Sequence, residues 1–167
     1  FPASSDASLA ALFIDGLAYD AFQPDQYDYT YPLPYRTTQV PAVVPVAGDR
    51  SQTITVAHGQ VDNTTSIQVL AADGTTSRTY RVAFPVAKSS STELLSIEIE
   101  GATITFDTAQ HHYADIPLPY GTYKSPTITV ERAAPEQSLL ITEAPIGQTS
   151  SVVVTAQDGT LATYTLT

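Results

Sequence analysis

Leu9-Ala-Ala-Leu12-Phe-Ile14-Asp-Gly16 returns 85 positions later as Leu94-Leu-Ser-Ile97-Glu-Ile99-Glu-Gly101. Beyond it, Phe22 matches Phe106 and Tyr29 matches Tyr113, both at an offset of 84. Pro32-Leu-Pro-Tyr35 matches Pro117-Leu-Pro-Tyr120 at 85, as Pro41 matches Pro126. Ala72-Asp73-Gly74-Thr75 then lines up with Gln157-Asp158-Gly159-Thr160, and Tyr80 with Tyr164 at 84. Matches that keep this order and slip by only one residue are the mark of a duplication. Two units are too few for a solenoid, so the sequence predicts two homologous domains in series, over 8–86 and 92–167. Residues 1–7 read as a polar lead-in. Residues 87–91, within the polar run around Lys88-Ser-Ser-Ser-Thr92, read as a linker.

Within each copy the local signals are β. Ile97-Glu-Ile-Glu, Thr127-Ile-Thr-Val130 and Ser51-Gln-Thr-Ile-Thr-Val56 alternate with period two. Asp73-Gly74 and Asp158-Gly159 sit between apolar runs and can supply the positive φ of a hairpin turn. Ile67–Ala71 and Thr79–Phe84 would flank the first turn, Val152–Ala156 and Thr163–Leu166 the second. No window carries a helical stripe. Pro41, Pro45, Pro126 and Pro135 belong on edge strands or in loops. The expectation is an all-β fold, with two tandem immunoglobulin-like sandwiches of roughly seven strands each. Leu12, Ile14, Phe22, Tyr29, Ile54, Val56, Ile67, Val69, Tyr80 and Val82 would fill the first core. Ile97, Ile99, Phe106, Tyr113, Ile128, Val130, Val152, Val154 and Tyr164 would fill the second.

Each copy is small enough to have little stability to spare. The chain carries 17 acidic residues against 7 basic, a net charge of −10. Nucleic acid and anionic membrane surfaces both need a basic footprint, so neither is an expected partner. Cysteine, methionine and tryptophan are absent. Disulfides, thiol nucleophiles and thiolate metal sites are thereby excluded. No apolar run approaches the ~20 residues that span a bilayer, so a soluble chain without membrane insertion is expected. The sequence starts at Phe1 with no signal segment and reads as a mature or excised fragment.

A short apolar strand closing on Gly16, then Phe22-Gln-Pro24-Asp25-Gln-Tyr27-Asp-Tyr29, then Ala71-Ala-Asp73-Gly74-Thr75 and Tyr80, resembles the bacterial cadherin-like β-sandwich family. The second copy departs from this pattern with Phe106-Asp-Thr108-Ala109, but keeps Tyr113, Asp158, Gly159 and Tyr164. The resemblance covers nearly the whole chain outside the lead-in and linker. It implies a non-catalytic spacer or adhesion-type module of a secreted or surface bacterial protein, located outside the cell, at its surface or in the periplasm. Neighbouring domains of a longer chain, a surface protein or a glycan would be its partners. The alternative is a carbohydrate-binding accessory module of a glycan-processing protein. The family has no catalytic residue and no cofactor to carry over. Such an analogy bears on architecture more than on function.

Several clusters merit a chemical reading beside a structural one. His111 and His112 with Asp107 and Asp115 are the densest metal-ligand set. However, adjacent strand residues point to opposite faces, and copy one has Tyr27 and Asp28 at the histidine positions, so exposed histidines without metal are expected. Calcium wants six to eight oxygens. Asp20, Asp25 and Asp28 have only Thr105, Ala109 and His112 as counterparts, so no calcium site is expected. Glu98 and Glu100 share one strand face and could be paired glycosidase carboxylates, but they read as the wet side of a strand. No nucleophile motif surrounds His58, and no catalytic, cofactor or metal residue is assigned.

Tyrosines are the remaining candidates. Tyr19, Tyr31, Tyr35, Tyr120 and Tyr123 could present aromatic faces to a glycan or protein partner. Tyr29, Tyr80, Tyr113 and Tyr164 read instead as core or corner tyrosines whose hydroxyls meet backbone. Tyr80 and Tyr164 in particular should be buried on the strands leaving the Asp-Gly turns.

Overall fold

The computed structural model describes residues 2–167, which form strands and turns with no helix. The chain divides at Ala87/Lys88 into two compact units.

The first unit contains β1 (Leu9–Ile14), β2 (Leu17–Ala18), β3 (Asp28–Thr30), β4 (Val43–Ala47), β5 (Thr53–Ala57), β6 (Thr64–Leu70) and β7 (Ser77–Ala83). They form a small sheet of order β2-β1-β4 and a larger one of order β3-β7-β6-β5. Pro45 lies in β4, an edge strand, where a missing donor is tolerated. Leu12, Ile14 and Val43 from the small sheet meet Ile67, Val69, Tyr80 and Val82 from the large one in a single buried cluster. One core between two sheets is a sandwich-like arrangement.

The second unit contains β8 (Leu94–Ile99), β9 (His112–Tyr113), β10 (Ile128–Arg132), β11 (Ser138–Thr142), β12 (Ser150–Thr155) and β13 (Leu161–Leu166). Its sheets run β10-β8 and β11-β12-β13-β9. Strand by strand this is the order of the first unit, including the parallel pairs β3–β7 and β9–β13. The counterpart of β2 is reduced to a bridge between Ile99 and Ala102, leaving six strands rather than seven.

The apolar spacing of the repeat has a structural cause. Leu9 and Leu12 are three apart, not two, because a bulge between Leu9 and Ala11 shifts the register of β1 against β4. Leu94 and Ile97 repeat this, with Leu95 the extra residue opposite Glu131 and Arg132. Without the bulge, period two would turn one of the leucines outward.

The one-residue slips are also located. Ala71 N–H donates to Thr76 O across the first Asp-Gly loop, whereas Ala156 N–H donates to Thr160 O across the second, which is one residue shorter. The compensating insertion is Asp115, with φ of 56°, placed between the strand ending at Tyr113 and Ile116. In the Asp73-Gly74 loop only the glycine has positive φ. A two-residue turn with both φ positive occurs instead at Asp15-Gly16, joining β1 to β2. From sequence that pair had read only as a strand end.

The segments expected as lead-in and linker belong to the units themselves. Ala7 is buried, and Ser4 O accepts from Asp73 N–H at 3.0 Å. In the second unit Ser89 O accepts from Asp158 N–H at 3.1 Å, at the same offset. Gln52 Nε2 donates to Asp6 O and Ser8 O, as Gln137 Nε2 does to Ser91 O and Glu93 O. Carboxamides hold these stretches in place with little help from apolar side chains, so hydropathy gave no sign of it. The units accordingly meet at Ala87/Lys88, ahead of the expected start at 92.

Candidate functional site

The four tyrosines shared by the copies serve the backbone. Tyr29 Oη accepts from Gln23 N–H at 3.0 Å and donates towards Gln23 O and Gln26 O at 2.6 and 2.8 Å. Tyr113 Oη accepts from Asp107 N–H and donates to Asp107 O, at 3.0 and 2.9 Å. Tyr80 Oη accepts from Leu9 N–H at 3.2 Å and donates to Pro24 O at 2.7 Å. Tyr164 Oη donates to Thr92 O at 3.3 Å and is also met by the Leu94 backbone, as Tyr80 is by Leu9. Burial raises the Tyr29 and Tyr164 hydroxyls above their ordinary pKa of 10.0, which keeps them neutral donors. Tyr80 and Tyr164 are fully buried.

Three of the five tyrosines expected to meet a partner do not form an exposed platform. Tyr19 stands edge-on to Tyr29 and Tyr31, with centroids 5.7 and 5.9 Å apart, and Tyr31 packs on Phe84 at 6.0 Å. Both are half-buried against the first core. Tyr35 is half-buried too, with the Arg36 guanidinium 5.2 Å from its ring centre. The first unit uses Tyr19 and Tyr31 to fill out its core. Tyr120 and Tyr123, by contrast, are 108% and 84% exposed. A turn in which Thr122 N–H and Oγ1 both donate to Pro119 O presents them, with Lys124 Nζ 5.7 Å from the Tyr123 ring.

The histidine and aspartate cluster does not converge. Among the described residues no group of three His, Asp or Glu side chains could hold one ion. His111 lies on the Tyr164 ring at 4.5 Å, the place Tyr27 takes on Tyr80 at 5.4 Å. His112 Nδ1 bonds Thr165 Oγ1 at 2.6 Å. At the same register point the first unit has an Asp28–Arg81 ion pair at 3.7 Å. Both histidines thus replace structural partners of the first unit. Glu98 and Glu100 are exposed, Glu98 being paired across from Thr129. Among the acids, Asp73 is held down to about 2 because it accepts from Thr76 Oγ1, Thr76 N–H and Thr75 N–H. Asp158 is also lowered, with Thr160 N–H as its main partner.

An apolar cleft of about 360 Å³ opens at one end of the second unit. Ile99, Ile116, Leu118, Ile128, Ile146 and Leu166 line it, with Asp115, Gly147, Gln148 and Thr167 at its rim. Sequence reading missed it, since each lining residue alone reads as ordinary core. The signal available was the loss of one aromatic, because Ile116 stands where the first unit has Tyr31.

No family model matches the chain, and no solved structure does. A curated protein does match over 107 residues at 31% identity: an exo-beta-1,6-galactobiohydrolase of Bifidobacterium longum subsp. longum. The match takes in 61% of this chain and 7% of that protein, so the chain spans a small fraction of the relative's length.

Proposed function

We propose that this chain is a tandem pair of non-catalytic, immunoglobulin-like modules of the bacterial cadherin-like kind, serving as a spacer within an exported glycan-processing protein. The partial match carries this reading. It covers more of the chain than either unit contains, so it runs past Ala87 and involves both copies, yet it occupies 7% of a glycan hydrolase. A share that small supports an accessory segment over a whole enzyme. The duplication supports it as well. The polar residues kept in both copies, Gln52 and Gln137, Tyr29 and Tyr113, Asp73 and Asp158, all hold backbone. A net charge of −10 disfavours adventitious contacts.

Incubation with β-1,6-galacto-oligosaccharides and nitrophenyl β-galactosides tests the claim. No product is expected, whereas turnover that disappears in Glu98→Gln or Glu100→Gln would make the chain an enzyme. Melting curves with and without EDTA should coincide. A fall on chelation, reversed by one divalent ion, would move metal-dependent adhesion to the front.

The exposure of Tyr120 and Tyr123 favours a second reading, glycan binding by this loop, because aromatic faces stack on the C–H faces of sugars. Electrophoresis through gels containing β-galactan separates the two. Retardation lost in the Tyr120→Ala/Tyr123→Ala double variant would establish binding, and unchanged mobility would leave the spacer.

A further inference from the structure

A polar groove that side chains bridge in the second unit stands open in the first. Residues 38–42, which lead into β4, form one wall, and residues 58–61, which follow β5, form the other. The space between them measures about 460 Å³. Thr38, Gln39, His58 and Gln60 line it with exposed polar side chains. Val40 and Val61, half-buried against the first core, give it an apolar base.

Hydrogen bonds hold both walls. Thr37 N–H and Oγ1 donate to Pro34 O, and Ala42 N–H donates to Asp15 Oδ1 at 2.8 Å. Opposite, Gly59 N–H donates to Thr65 Oγ1 and Asn63 N–H to Gln60 O. Gly59 lies so close to β6 that a Cβ there would stand 2.5 Å from Thr64 O. The groove is therefore formed before a ligand arrives, which spares the cost of ordering it on binding.

The same walls recur 85 positions on, where Ala144 N–H donates to Ser150 Oγ as Gly59 N–H does to Thr65 Oγ1. There two side chains cross the gap. Ser125 Oγ donates to Ala144 O, and Glu143 Oε1 accepts from Ile128 N–H, both at 2.9 Å. Val40 and His58 hold those two positions in the first unit. Among the described residues, Thr38, Gln39, His58 and Gln60 commit no side-chain hydrogen bond to the protein.

We propose that this groove is a binding site for a neutral saccharide. Two carboxamides, a hydroxyl and an imidazole can each donate and accept, as sugar hydroxyls do. Val40, Pro41 and Val61 offer apolar surface to the C–H face of a ring. No Lys, Arg, Asp or Glu is among the described lining residues, so a phosphate, a sulfate or a uronic acid would find no counter-charge. The volume falls within the about 300–1,000 Å³ of small-molecule sites. This site adds a ligand to the spacer reading without depending on it, and is separate from the Tyr120–Tyr123 loop of the other unit.

Cellobiose, maltose and lactose are the probes, titrated into the 167-residue chain and followed by backbone amide NMR, with glucuronate as the charged control. Amides of Gln39, Val40, His58, Gly59 and Gln60 should shift saturably with at least one disaccharide, at a Kd of about 1 mM. Glucuronate should leave them in place. His58→Ala and Gln60→Ala, both at exposed positions, should each weaken binding about fivefold. Val40→Ser/His58→Glu, which supplies the pair that bridges the second unit, should abolish it. Shifts confined to Tyr120, Tyr123 and Lys124, an equal response to glucuronate, or no shift with any of the three disaccharides would each overturn the proposal. All three outcomes leave the spacer reading, which the hydrolysis assay tests, intact.

Discussion

The two units share strand order, bulge and hydrogen-bonded tyrosines, and differ in how one end of the core is filled. In the first unit Tyr19, Phe22, Tyr29, Tyr31, Tyr80 and Phe84 form a continuous chain of ring contacts. In the second, Phe106, Tyr113, His111 and Tyr164 remain in contact, while Ile116 replaces Tyr31. A fold can thus be preserved by backbone-directed polar contacts while the filling of its end layer drifts. Aromatic count alone is a poor guide to a sugar platform. Of the five expected rings, Tyr19 and Tyr31 are core filler, and Tyr120 and Tyr123 of the second unit stand in solvent.

The comparison can be broken most directly at the buried rings. Phe84→Ala, Tyr80→Ala and Tyr164→Ala should each cost about 3–5 kcal/mol in urea unfolding of their own unit, followed by residue-resolved NMR. A loss below about 1 kcal/mol would place the ring outside the core.

Removing hydroxyls alone sharpens the contrast. Tyr80→Phe leaves the buried Leu9 N–H without its acceptor and should cost about 1–3 kcal/mol. Tyr164→Phe gives up a longer bond to Thr92 O, 3.3 Å against 2.7 Å for Tyr80 to Pro24 O, besides its Leu94 contact, and should cost less, about 1 kcal/mol. Equal losses would mean that the two hydroxyls are held equally well.

The carboxamides should rank in the opposite sense. Gln137 donates to two carbonyls and accepts from Ala134 N–H, whereas Gln52 Oε1 is buried with no partner. Gln137→Ala should therefore exceed Gln52→Ala by about 1 kcal/mol. A reversed order would show that the Gln52 oxygen is satisfied.

The smallest effect is that of acid. Asp73 is depressed from 3.8 to about 2, so its contribution is complete above 3.8 and is lost as pH falls towards 2. Asp158 is also lowered and follows the same sign, with fewer bonds to lose. The β6–β7 hairpin should loosen over this window more than the β12–β13 hairpin, as read by amide exchange. Asp73→Asn should flatten the dependence in the first unit and leave the second untouched.

Much of this was legible in the chain itself. The offsets of 84 and 85 place every paired strand, and the alternation of Ile67 with Val69 or Val152 with Val154 names the buried faces. Covalent order and side-chain hydropathy suffice for that, because a strand with one apolar face has one way to turn it. Which tyrosines are core and which are surface was not legible, since a ring's burial depends on what the opposite sheet leaves for it to fill. The same holds for Asp6 and Ser91, whose carbonyls accept from the Gln52 and Gln137 carboxamides, each 46 residues away. Of the cleft, sequence carries only the exchange of Tyr31 for Ile116. Its walls come from five separate stretches of the second unit, and only folding brings Ile99, Ile116, Ile128, Ile146 and Leu166 around one space.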